Sequence, residues 1–339
     1  MDLFENYMNY SESTLSNPDA GISTNQVPAS ADRSYVFDEV FSELGDHSGF
    51  NIGPYHICDL PIIIVDDGLH IYRNETSMVS DGLYKEVNHN IVRTVDGKEP
   101  ALDLSVTNLV AFQWIAIIFI LFIFKRISSK KRLAVNKAPK GFFANAVEKI
   151  IIYLREEVVI PSLPNKKIAD SLTFYFIATF LFILVVNLLG LLPGGHTATS
   201  ALPVTAALSI IAFFVINGAA LKYSGIKSWL SHLLGGAPAF LAIIMVPIEI
   251  LSLFIKPFSL TIRLFANMTA GHIVLFAFLG LLFFFNNYIL ATAIVPFSVF
   301  LYLLELLVAF IQSFVFTMLV AIYTGQSIGT HFKYKYTDK

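Results

Sequence analysis

Cysteine and charge are both scarce in this chain of 339 residues, and each scarcity excludes a class of protein. With Cys58 alone, no internal disulfide can form, so no disulfide framework holds the fold. Charged residues make up 14% of the sequence, where soluble domains carry about 25%. There is no glycine-rich Walker sequence, so nucleotide chemistry has no phosphate cradle here. The histidines are scattered without metal-ligand spacing, and neither a metal nor a cofactor is expected. Met1 to Ser30 lack the basic-then-apolar order of a signal peptide, which leaves open a leader removed upstream. What is abundant is hydrocarbon: 55% of the residues are hydrophobic and 31 are phenylalanine.

The few charges are unevenly spread. Residues 1–100 hold 17 Asp and Glu against 5 Lys and Arg, whereas residues 101–339 hold 8 against 18. An acidic, water-facing head is therefore joined to a basic membrane body. The basic residues cluster beside apolar spans rather than along a polar face, so nucleic acid is not an expected partner. Residues 1–30 read as a flexible acidic tail, 31–102 as an acidic β-rich extramembrane region, and 103–339 as the membrane domain. Within the head, Ile62–Val65, an Asp-Gly turn and Leu69–Arg73 read as a hairpin.

The membrane domain is expected to be all-α, with spans at about 105–124, 171–192, 202–221, 239–285 and 288–326. Residues 142–158 mix charge with Phe, Ile and Val at helical spacing, the pattern of an interfacial amphipathic helix. Asp170 is placed to cap the second span. The last two segments far exceed one perpendicular crossing, which a long, tilted antiparallel hairpin accommodates. Lysines and arginines after the first span put that end in the cytoplasm, the N-terminus outside and the C-terminus inside.

Four charges lie inside the hairpin: Glu249, Lys256, Arg263 and Glu305. An ionisable group at mid-bilayer costs about 2.5–3.5 kcal/mol on insertion scales, and such groups usually mark ion pathways. Glu249, Lys256 and Arg263 recur every seven residues, so they share one helical stripe, with Asn267 next along it. Pairing Arg263 with Gln312, and His272 with Glu305, places the hairpin turn at the Asn286-Asn287-Tyr288 interruption in both cases. His272 lies off the Arg263 stripe, so a straight helix would need local twist to complete the second pair. The plainer reading is that Asn267, Gln312 and His272 each hydrogen-bond a neighbouring helix, at ~0.6 kcal/mol apiece. Lys256, nearer the inner end, could simply snorkel. Arg263 resists the plain reading, because Glu249 stands 14 residues away, roughly 21 Å along the axis.

Lys256-Pro257-Phe258-Ser259-Leu260-Thr261-Ile262-Arg263-Leu264-Phe265-Ala266-Asn267-Met268 resembles the signature of the F-type ATP synthase subunit a family. Gln312-Ser313-Phe314-Val315-Phe316 resembles that family's last-helix motif, and Asn187-Leu188-Leu189-Gly190-Leu191-Leu192-Pro193 its second-span motif. The resemblance covers about 103–326. It implies that Arg263 faces a rotating ring of c subunits and meets the essential carboxylate of each, with Gln312 and Asn267 beside it. Glu249 would line the cytoplasmic half-channel, and His272 with Glu305 the opposite one. Lys256, Ser259 and Asn187 would support these from within the motifs. The implied partners are the c ring, the peripheral-stalk b subunits, the rest of the ATP synthase and the lipid bilayer. The implied setting is a bacterial inner membrane, with a mitochondrial or plastid membrane as the alternative.

Only arginine stays protonated at any relevant pH, so a fixed charge between two offset half-channels would block a direct leak. The rival function is secondary transport of an anionic substrate held by Arg263. That fold predicts inverted repeats and broken helices, and no repeat is visible. Two glycosylation sequons, at Asn74 and Asn267, read as chance matches, the second because it lies in a membrane span.

Overall fold

A computed structural model describes residues 49–52, 55–66, 68–87, 90–133, 142–192, 197–226, 229, 242–285 and 288–329. The expected N-terminal tail and the hairpin turn at Asn286-Asn287 lie outside the described residues. The chain divides into two units, residues 1–108 with 276–296 and residues 109–275 with 297–339.

The head is built from short antiparallel pairs: β1 (Gly49–Ile52) with β2 (Tyr55–Asp59), β3 (Ile62–Val65) with β4 (Leu69–Tyr72), and β5 (Tyr84–Val87) with β6 (Asn90–Arg93). A two-residue strand, β7 (Leu102–Asp103), adds to the other edge of β3. The period of two along β3 buries Ile62 and Ile64 against Met78 and Tyr84, forming a small core. Between β4 and β5 lies a helix that hydrophobic patterning does not signal, α1 (Glu75–Asp81). Its start is local chemistry: the Asn74 side chain accepts from the Ser77 N–H at 2.9 Å, satisfying one of the orphan donors of the first turn. Its end is Gly82, whose φ of +73° suits a residue without Cβ. The sequon asparagine is thus a helix cap. Asp66 forms an ion pair with Arg93, and the Arg93 hydrogen bond holds the Asp66 carboxyl below the usual carboxylate range. Burial, helped by a 2.7 Å hydrogen bond to Asp81, pushes the Tyr72 hydroxyl up to about 12.

The second unit is helical. It contains α2 (Asn108–Leu133), α3 (Phe142–Tyr153), α4 (Lys166–Gly190), α5 (Leu202–Ser224) and most of α6 (Ala242–Phe285) and α7 (Tyr288–Gly329). Five of these helices are long and apolar enough to cross a membrane, in agreement with the expected fold class. At 1.5 Å per residue, the 44 residues of α6 and 42 of α7 run about 60 Å each, twice the hydrocarbon thickness.

The amphipathic segment differs from expectation. It continues past Val158 through a π-helical stretch (Leu154–Val159) and on to Ser162. Leu154, Val158 and Val159 are buried in the same core as Phe176, Phe180 and Ile183 of α4, Leu264 of α6 and Phe316 of α7. Asp170 is no cap. The α4 helix starts four residues earlier, at Lys166, because the Asn165 side chain accepts from the Lys167 N–H at 3.0 Å. Asp170 instead pairs with Arg155 at 2.7 Å.

Candidate functional site

The α6 helix presents two unlike faces at mid-length. Leu260, Leu264, Met268 and His272 recur every fourth residue and are all buried, as one stripe of a 3.6-residue helix must be when it packs. Ser259, Arg263 and Asn267 also recur every fourth residue, but the first two are half-buried and Asn267 is exposed. Phe258 and Ile262 beside them are exposed too. Nine residues separate Arg263 from His272, which is two and a half turns, so their side chains leave opposite sides of the helix. His272 reaches α7 from the packed face.

On that face His272 meets Glu305 of α7, with Nδ1 2.5 Å from Oε1. Both are nearly inaccessible, His272 at 8% and Glu305 at 6%. Nδ1 also lies 3.0 Å from the Met268 carbonyl oxygen. The carboxylate oxygen is not aligned as a hydrogen-bond acceptor, so its contact with the ring is one of proximity. The helices come this close because position 271 is glycine. A Cβ there would stand 2.8 Å from Glu305 Oε1.

Five residues back along α6, Asn267 donates its Nδ2 to Gln312 Oε1 at 2.7 Å. Gln312 therefore pairs one turn further along α6 than Arg263, the position assigned to it by spacing. The reason is rotational. Arg263 and Asn267 differ by about 40° around the axis, and the antiparallel register carries Gln312 to the latter. Gln312 is 3% exposed, and its Nε2 has no hydrogen-bond partner among the described residues. Leaving such a donor unmet costs about 1–3 kcal/mol.

Arg263 reaches Ser259 Oγ at 3.4 Å, a long contact within its own helix. Among the described residues, no carboxylate forms an ion pair with it. Lys256 does more than snorkel: its Nζ sits 5.6 Å from the centre of the Tyr323 ring on α7, a cation–π contact. Glu249 is half-buried and lies two helical repeats of seven from Arg263, outside this cluster.

Asn187 joins the site from α4. Its Nδ2 approaches the Ala309 carbonyl of α7 at 3.5 Å, and its Oδ1 accepts from Thr199 at 2.5 Å. Sequence reasoning missed three neighbours. Thr197 Oγ1 lies 2.8 Å from His272 Nε2, and the Gly190 carbonyl lies 3.4 Å from the same atom. Tyr302 donates to the Leu191 carbonyl at 3.1 Å. Gly190 and Leu191 fall within the motif around Asn187, which signalled their importance without their contacts. Thr197 carries no signal in the sequence, being one hydroxyl in a short polar run. No group of three or more metal-ligating side chains occurs among the described residues.

Comparison with known proteins places this geometry in a family. Residues 110–325 match the ATP synthase A chain family. ATP synthase subunit a of Chlorobium phaeobacteroides (strain BS1) is 45% identical over 225 residues, 66% of each chain. That of Chloroherpeton thalassium is 43% identical over 227 residues, 67% of each chain. That of Anaeromyxobacter dehalogenans is 40% identical over 233 residues, 68% of this chain and 60% of its own. The aligned stretch thus spans about two thirds of those relatives, and the family match runs from the first apolar helix to the end of the last. On a match that covers well over half its length and includes every residue of the clusters above, this chain belongs to the ATP synthase A chain family.

Proposed function

We propose that the chain is the membrane stator subunit of an F-type ATP synthase, and that it carries protons through two offset half-channels to and from the carboxylates of a c ring. The observation that carries this reading is the division of α6 into two faces. Arg263 stands on the less buried face without an acidic partner among the described residues, whereas the titratable pair His272–Glu305 is enclosed on the opposite one. A permanent cation on a membrane-facing surface calls for a mobile anion, and a passing c-subunit carboxylate supplies one. Arginine keeps its charge when desolvated, where lysine could discharge, so a proton arriving on the carboxylate is expelled before it passes.

In this mechanism Glu249 serves the cytoplasmic half-channel and His272 with Glu305 the outer one. Imidazole is suited to passing protons because one ring nitrogen can accept while the other donates. Each proton driven across supplies ~2.3 kcal/mol per 100 mV, so several are summed for one ATP. The reading assigns the chain to a bacterial cell membrane, N-terminus outside, in contact with the c ring and the peripheral-stalk b subunits. Both α6 and α7 run unbroken through their charged positions, which gives the transporter reading no discontinuous helix to hold an anion. Arg263→Ala, assayed in membrane vesicles for ATP-driven proton pumping and for passive leak, tests the proposal. Pumping is expected to vanish, and unchanged pumping would overturn it.

A further inference from the structure

We infer that Thr197 is a positioning residue for proton transfer: its hydroxyl fixes which nitrogen of His272 carries the proton. Nδ1 lies 3.0 Å from the Met268 carbonyl, an oxygen that can only accept, and stands 2.5 Å from Glu305 Oε1. The neutral ring therefore keeps its proton on Nδ1 and its lone pair on Nε2. Two groups face Nε2. The Gly190 carbonyl, at 3.4 Å, cannot donate. The Thr197 hydroxyl, at 2.8 Å, can. It is also 2% exposed, so no bulk solvent competes for the bond. When the ring gains a second proton, the same hydroxyl turns its oxygen to accept from Nε2–H, so one side chain satisfies both protonation states.

The site is built around this hydroxyl. A Cβ on Gly190 would overlap Thr197, so the glycine in the α4 motif makes the room that the threonine fills. Among the described residues, Glu305 on α7 is the one titratable group in contact with the ring. The α4 helix contributes only a backbone carbonyl there, and the segment before residues 198–200 contributes Thr197.

Valine at 197 keeps the shape and removes the donor. Nε2 then faces only the Gly190 carbonyl, which accepts but cannot donate, so nothing holds the proton of the neutral ring on Nδ1 alone. This inference rests on the stator reading for its effect on pumping, though not for the tautomer itself. The experiment uses the assembled complex with Thr197→Val, Thr197→Ala, Thr197→Ser and Arg263→Ala, assembly being checked by co-purification of the subunits. The pH profile of ATP-driven pumping in the valine and alanine variants is expected to change, with several-fold loss at neutral pH. The serine variant is expected to stay within about twofold of the parent. Nitrogen-15 spectra of the complex, with His272 assigned by difference against His272→Gln, are expected to show the Nδ1–H tautomer of the neutral ring in the parent and a share of the Nε2–H tautomer, donated to the Gly190 carbonyl, in Thr197→Val. A valine variant with the parent's profile and spectrum overturns the role of Thr197 while leaving Arg263 untouched. If Arg263→Ala still pumps, the stator reading fails, and the spectra alone decide the tautomer.

Discussion

Gly271 and Glu305 touch across the α6–α7 hairpin, so that a Cβ on the glycine would stand 2.8 Å from the carboxylate Oε1. Something must give in Gly271→Ala, and the mobile partner is the far end of a glutamate side chain. The fold is therefore expected to survive while the carboxylate swings away from His272. Subunit levels in the membrane should be near normal and proton pumping several-fold lower. Normal pumping in this variant would mean that the 2.5 Å contact is not needed for transfer.

Gly325 makes the opposite case. A Cβ there would overlap the backbone carbonyl of Ser162, which cannot rotate aside. Gly325→Ala must separate α7 from the end of the amphipathic segment, at a cost of about 1–3 kcal/mol typical of overpacking. The expected result is a lower aggregation temperature of the purified complex and less subunit in the membrane. An unaltered temperature would show that the segment shifts freely.

Exchanging the members of the buried pair tests whether they act together. His272→Glu alone places two carboxyls in contact, and Glu305→His alone places two imidazoles. The double exchange restores one of each, so it should pump better than either single variant. It should still fall below the parent. A carboxylate at 272 would face the Met268 and Gly190 carbonyls, neither of which donates. Equal loss in all three variants would refute the pairing.

The long spans and the hairpin were legible because lipid forces every backbone polar group into helical bonds, leaving a continuous apolar record in the sequence. The His272–Glu305 pairing was legible too, since antiparallel helices fix which positions can meet. The partner of Gln312 was not. Arg263 and Asn267 lie on the same stripe one turn apart, and residue numbers do not choose between them. Thr197 was invisible for a different reason: it lies outside any periodic element, and its contact with His272 joins residues 75 apart in the chain. Asn165 and Asp170 are equally good caps by residue type, and only the folded chain shows that α4 begins at Lys166.

The head carries its own pH limits. Asp66 is held below the usual carboxylate value, chiefly by its hydrogen bond and ion pair with Arg93. A depressed folded pKa contributes stability that is fully present above the unfolded value of about 3.9 and is lost as pH falls through the folded one. Tyr72 sets the alkaline limit, because its hydroxyl is raised to about 12. That contribution is present below the ordinary value near 10 and is lost between there and about 12. Amide hydrogen exchange at Ile64, Val65 and Tyr84, corrected for intrinsic rates, should therefore show protection falling below about pH 4 and again above about pH 10. Asp66→Asn should lower protection at neutral pH and flatten the acid limb, leaving the alkaline limb in place. Tyr72→Phe should do the reverse. If Asp66→Asn retained the full acid limb, the Arg93 pairing would not be what holds the strands together.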